Sequence, residues 1–112
     1  MLILPIKKQW FDMILSGEKT EEYRDIKPYY EKLFMKATML DTYKNDNGFD
    51  FNKQIKKCPS SMTIALRNGY RSDSPLIMCG CKVTIGTGNP KWGAEPGKEY
   101  YVLKIQWVDK NI

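Results

Sequence analysis

Gly17-Glu18-Lys19-Thr20-Glu21-Glu22-Tyr23-Arg24 is the stretch on which the reading of this chain turns. It is entered from Trp10-Phe11-Asp12-Met13-Ile14-Leu15, where Trp10 with Ile14 and Phe11 with Leu15 are spaced to stack on one helical face. A helix over Lys8 to Ser16 is expected, ended by Gly17 in the left-handed conformation common just beyond a helix. Lys19 to Arg24 then reads as a strand. Side chains alternate along a strand, so Glu22 and Arg24 share a face and can form an ion pair. Lys19 falls on the opposite face unless the chain is still turning out of the helix. Two readings of these charges stay open. One is a solvated ion pair on an edge strand, worth about 0–1 kcal/mol. The other is a buried, paired cluster beside a cleft, because an isolated buried ion is too costly.

On the N-terminal side, Leu2 to Ile6 reads as a first strand, which Pro5 can occupy only at an edge or an end. On the other side, Asp25-Ile26-Lys27-Pro28 is a turn, and Pro28 can open a second short helix through Tyr29, Tyr30, Leu33 and Phe34. Lys36 to Thr42 is expected as a further strand. Asn45-Asp46-Asn47-Gly48 carries turn chemistry, while Phe49 to Ser61 is basic and irregular. Met62 to Arg67 reads as a strand that turns out at Asn68-Gly69. Leu76 to Thr87 alternates, with Ile77, Cys79, Cys81, Val83 and Ile85 on one face. Gly88 to Gly97 is a long polar turn carrying Lys91 and Trp92. Glu99 to Val108 is the final strand, expected to place Tyr101, Leu103, Ile105 and Trp107 on one face.

The chain has 112 residues, the size of one domain, and can bury roughly two thirds of its unfolded surface. With no internal repeat or linker, residues 1–112 form a single domain. Five or six strands and two short N-terminal helices predict an α+β fold closed as a mixed β-barrel or half-barrel, which would also dispose of free strand edges.

The sequence contains no histidine, which excludes Ser-His and Cys-His catalysis, and with three cysteines at no paired zinc spacing it predicts no metal site. Proton transfer would have to use Glu, Asp, Lys, Tyr or Cys. Cys79 and Cys81 read as small hydrophobes of a strand, a reactive thiol being the alternative. The net charge of +5 suits nucleic acid or an ordinary surface equally. Pro5 and Lys7-Lys8 interrupt the apolar opening at once, so no signal peptide or membrane partner is expected and the cytoplasm is the expected compartment.

Helix, glycine and G-x-K-x-x-E-x-R spacing together resemble the ASCH domain of the PUA-like superfamily. The resemblance covers Ile3 to Lys7, Trp10 to Gly17 and Lys19 to Arg24, and extends loosely to Gly97 to Leu103. It implies a PUA-like barrel whose motif lines a cleft for RNA or a nucleotide-like ligand, with no cofactor. Carried onto this chain, Gly17, Lys19, Glu22 and Arg24 would be the site residues. Lys19 and Arg24 would donate to phosphate or base acceptors, and Glu22 would accept from a base amino group or hold Arg24. Some proteins similar to this family are amidohydrolases acting on N(4)-acetylcytidine, in which a threonine nucleophile follows the motif lysine by three positions. Here Glu22 occupies that place, and a glutamate cannot do the acyl-transfer work of an activated alcohol. A ribonuclease-like activity using Lys19 and Glu22 is the other enzymatic alternative. Outside the motif, Arg67, Tyr70 and Arg71 combine basic and aromatic character, the composition that stacks bases and neutralises phosphates. Trp92 is either the lid of a pocket or a plug on the core. A protein-binding surface at Tyr29-Tyr30 and Trp92 is the third functional class.

Overall fold

Alternating apolar residues build five strands, and the computed structural model describes residues 1–109. The strands are β1 (Ile3–Ile6), β2 (Glu21–Arg24), β3 (Ser60–Asn68), β4 (Leu76–Thr87) and β5 (Glu99–Asp109). They form one curled, half-barrel sheet in the order β1-β3-β4-β5-β2. β1 runs parallel to β3, and every other pairing is antiparallel. The short strands β1 and β2 are the two edges of this sheet. Pro5, which has no N–H to give to a ladder, sits on an edge strand as expected.

Three helices cover one face: α1 (Lys8–Ser16), α2 (Pro28–Ala37) and α3 (Phe51–Lys57). Phe11 and Ile14 of α1, Phe34 of α2, and Phe51 and Ile55 of α3 are buried against Ile64, Leu66, Cys79, Cys81, Val83, Tyr101 and Leu103 of the sheet. A smaller cluster of Tyr23, Ala94, Tyr100 and Val102 lies apart from that core, with Trp92 of the Gly88–Gly97 loop packed on it. In register, Glu22 pairs with Leu103 and Arg24 with Tyr101, so both charged residues point to the side of the main core.

Three expectations are corrected. Lys36 to Thr42 is not a strand: α2 runs on to Ala37, the Thr38 hydroxyl donates to the Phe34 carbonyl, and Leu40–Tyr43 forms a short 3₁₀ turn. The stretch after Phe49 is ordered as α3, because the Asp50 side chain accepts the Lys53 N–H and Phe51 and Ile55 stack one turn apart. Finally, a bulge shifts the β4–β5 register between Gly80 and Cys81, so Cys81 faces Ile105 while Gly80 faces Trp107. The extra residue sends Trp107 to the face opposite Tyr101, Leu103 and Ile105, where it is 48% exposed.

Cys79 and Cys81 are buried in the main core as small hydrophobes, and the neighbouring Cys79 thiol, followed by burial, pushes the Cys81 thiol up. Among the described residues, no helix is long and apolar enough to cross a membrane.

Candidate functional site

Gly17 ends α1 with φ 87°, and its N–H donates to the Ile14 carbonyl. Two residues later the Lys19 N–H reaches back to the Met13 carbonyl at 3.0 Å. Lys19 is thus still turning out of the helix, and β2 starts only at Glu21. Strict alternation does not apply to it. Its side chain comes to the side of Glu22, with the amine 3.2 Å from Glu22 Oε1. Glu22 Oε2 in turn accepts from Arg24 Nη1. The three charges form a line of cation, anion and cation with a net charge of +1.

The line is inside the protein. The Lys19 side chain is 0% exposed, that of Glu22 6% and that of Arg24 13%. These figures exclude the surface-pair reading, and the hydrogen bonds explain how the burial is tolerated. Lys19 Nζ donates to the Trp92 carbonyl at 3.0 Å. It also lies 5.0 Å from the Trp10 ring centroid, 4.9 Å from that of Tyr23 and 6.0 Å from that of Trp92. Aromatic faces replace part of the water an ammonium loses. Desolvation still dominates, and it draws the Lys19 pKa below that of an ordinary lysine against the pull of Glu22.

Arg24 has a second function in the fold. Its Nη1 donates to the Tyr23 carbonyl at 3.0 Å, and its Nη2 donates to the Pro5 carbonyl at 2.9 Å. Pro5 is on β1 and Arg24 on β2, so one guanidinium ties together the two edges of the sheet. Tyr30 of α2 covers the same group, 5.9 Å from the guanidinium carbon.

Above this floor opens a cleft of about 330 Å³. Glu22 and Arg24 line its base, and Trp10, Tyr23, Tyr30, Tyr70, Trp92 and Tyr100 contribute its aromatic lining. Pro5, Ile6 and Lys7, from β1 and the start of α1, form another part of the rim. Lys7 is exposed there. Tyr23 is anchored at both sides of its hydroxyl, which donates to Glu21 Oε1 at 2.7 Å and accepts the Asn89 N–H at 2.8 Å. Burial pushes that phenol up, so it remains a neutral donor at ordinary pH.

The residues singled out in the sequence are distributed unequally. Glu22, Arg24, Tyr70 and Trp92 line the cleft. Lys19 lies behind the floor: it holds Glu22 and the Trp92 carbonyl and does not line the cleft. Gly17 is exposed and acts by turning the chain. Arg67 does not line the cleft either, and Arg71 pairs with Asp73 at the surface. Trp92 is both wall and plug, packing on the second cluster while its carbonyl accepts a hydrogen bond from Lys19 Nζ. Sequence reasoning missed Lys7, Trp10, Tyr23 and Tyr100, and offered Tyr30 only as part of a protein-binding surface with Tyr29 and Trp92. The available signal was the abundance of Trp and Tyr, but their convergence depends on α1, α2, β2 and β5 meeting at one end of the sheet.

Among the described residues no Ser, Thr or Cys lines the cleft, and Thr20 is exposed with its carbonyl held by the Ile105 N–H. Among the described residues there is no cluster of three or more potential metal-ligating side chains. No protein-family model, curated protein or solved structure matches the chain.

Proposed function

We propose that this chain is a small RNA- or nucleotide-binding module of ASCH type, with a PUA-like fold, that holds one nucleotide unit in the aromatic cleft. The observation that carries the reading is the Arg24 guanidinium presented at the base of a cleft lined by six aromatic side chains. Arg24 has five N–H donors, of which three are engaged in hydrogen bonds within the chain. Lys7 at the rim adds an exposed cation suited to phosphate. The rings supply stacking surfaces, which every base can use. The volume lies at the small end of ligand sites and matches a single unit better than a longer segment.

In this reading Lys19 and Glu22 are positioning residues. Lys19 fixes Glu22, and Glu22 fixes Arg24, so the donors facing the ligand are oriented before it arrives. For the amidohydrolase alternative, no Ser or Thr alcohol and no Cys thiol lines the cleft among the described residues.

The test is a titration with ribonucleotides and short oligoribonucleotides at two salt concentrations, followed by tryptophan fluorescence. Tyr70→Ala and Lys7→Ala alter exposed side chains and leave the buried charges intact. Each is expected to weaken binding about tenfold, and Lys7→Ala to flatten the salt dependence. Affinity unchanged in both variants would overturn the assignment.

A further inference from the structure

The face of the sheet that carries Trp107 has an unusual composition. Trp107 packs over Gly80 so closely that a Cβ on that glycine would lie 2.1 Å from the indole nitrogen. The indole is nonetheless 48% exposed, so it covers the sheet and still presents surface to solvent. A hollow of about 230 Å³, lined in part by Ser61, Thr63 and Gln106, adjoins it. On the same face, Lys82 and Lys104 stand directly opposite each other across the β4–β5 ladder. Both are exposed, and neither has an ion-pair partner among the described residues. Like charges in directly opposed positions destabilise a sheet unless an anion lies between them. Glu21 stands opposite Lys104 across the β2–β5 ladder and accepts from the Tyr23 hydroxyl on Oε1, without forming an ion pair with Lys104 among the described residues.

We infer that this face is a second contact surface for single-stranded nucleic acid, separate from the cleft, with Trp107 as a stacking platform and Lys82 and Lys104 as phosphate contacts. An aromatic surface two residues, or roughly 7 Å, along β4 from a pair of exposed lysines offers the two elements such recognition uses. The bulge is what creates the arrangement. Without the extra residue Trp107 would face the core, and the exposed face would carry the lysines alone.

The experiment uses the full chain and a fluorescein-labelled ten-nucleotide single strand, as RNA and as DNA, at two salt concentrations. Lys82→Ala/Lys104→Ala is expected to lower the slope of log affinity against log salt by about 1.4, two contacts at the single-strand value. Trp107→Ala is expected to weaken binding roughly 5- to 100-fold. Trp107→Phe, which keeps a ring over Gly80, guards against loss of packing and should retain most of the affinity. In parallel, the indole N–H resonance of Trp107, assigned by its loss in Trp107→Phe, should move on titration. A stationary resonance together with an unaltered salt slope in the lysine double variant would overturn the inference. So would a resonance that moves only with protein concentration, which would make the face a contact between protein copies. The two sites separate cleanly. If Tyr70→Ala and Lys7→Ala bind as before while the Trp107 resonance moves, the cleft reading fails and this one stands; the reverse pattern defeats this one alone.

Discussion

Arg24 Nη2 donates to the Pro5 carbonyl at 2.9 Å, and that bond links the first and last strands of a sheet that has no ladder between them. The same guanidinium neutralises Glu22, so closure of the half-barrel and construction of the charged floor depend on one side chain. Arg is suited to this because its planar fork can serve several acceptors at fixed angles.

Removing that fork should be costly. Arg24→Ala is expected to lower the unfolding free energy by about 3 kcal/mol, because it leaves Glu22 buried with only Lys19 as partner. Arg24→Lys should recover less than half of the loss, since one ammonium cannot reach Pro5, Glu22 and the Tyr23 carbonyl together. Urea unfolding of the three proteins measures this, and a loss within about 0.5 kcal/mol for Arg24→Ala would refute the closing role.

Lys19 sets a pH dependence whose sign is fixed by its surroundings. Burial lowers its folded pKa below 10.5, so between the two values the unfolded chain binds more protons and stability rises with pH. The stability of the wild type relative to Lys19→Met should therefore increase as pH approaches 10.5. Urea midpoints for both proteins across the alkaline range provide the comparison. A difference that is flat or shrinks would contradict the assigned desolvation.

Tyr101 acts with the opposite sign. Its hydroxyl donates to Asn52 Oδ1 at 2.6 Å, and burial pushes the phenol up to about 12. The folded state keeps this proton longer than the unfolded chain, so the contribution is complete below pH 10 and is lost between 10 and 12. Tyr101→Phe should remove up to roughly 2–3 kcal/mol of that alkaline decline. Its expected cost at neutral pH is about 1 kcal/mol for the lost hydrogen bond. Denaturation series at pH 9 and pH 11 would expose an error, namely equal alkaline losses in both proteins.

Gly80 is expected to tolerate no side chain while Trp107 is present. Gly80→Ala should destabilise by about 1–3 kcal/mol through displacement of the indole. In a chain that also carries Trp107→Ala, the same change should be neutral or favourable, because alanine suits a strand better than glycine. A double-mutant cycle by thermal unfolding reads the coupling, and simple additivity would show that the two residues do not depend on each other.

Local chemistry was legible in the residues themselves. The Trp10–Leu15 periodicity, the left-handed Gly17 and the pairing of Glu22 with Arg24 follow from rules that act over a few positions. So do the core face of Leu76 to Thr87 and the edge position of Pro5. Phe51 to Lys57 was obscured by its lysines, although the Asp50 cap and the Phe51–Ile55 spacing were present to be read. Lys36 to Thr42 misled because its alternation of apolar residues spans the end of α2 at Ala37, a left-handed Met39 and the start of the 3₁₀ turn.

What the chain alone determined is therefore which elements form and which of their faces are apolar, since hydrogen bonding and side-chain periodicity depend on near neighbours. Only the tertiary structure decided that Lys19 is sealed among Trp10, Tyr23 and Trp92, that Arg24 spans to Pro5, and that one extra residue turns Trp107 away from the core. Each of these depends on the curl of the sheet and the register of its strands. Curl and register are settled by packing summed over the whole chain, and no short segment records that sum.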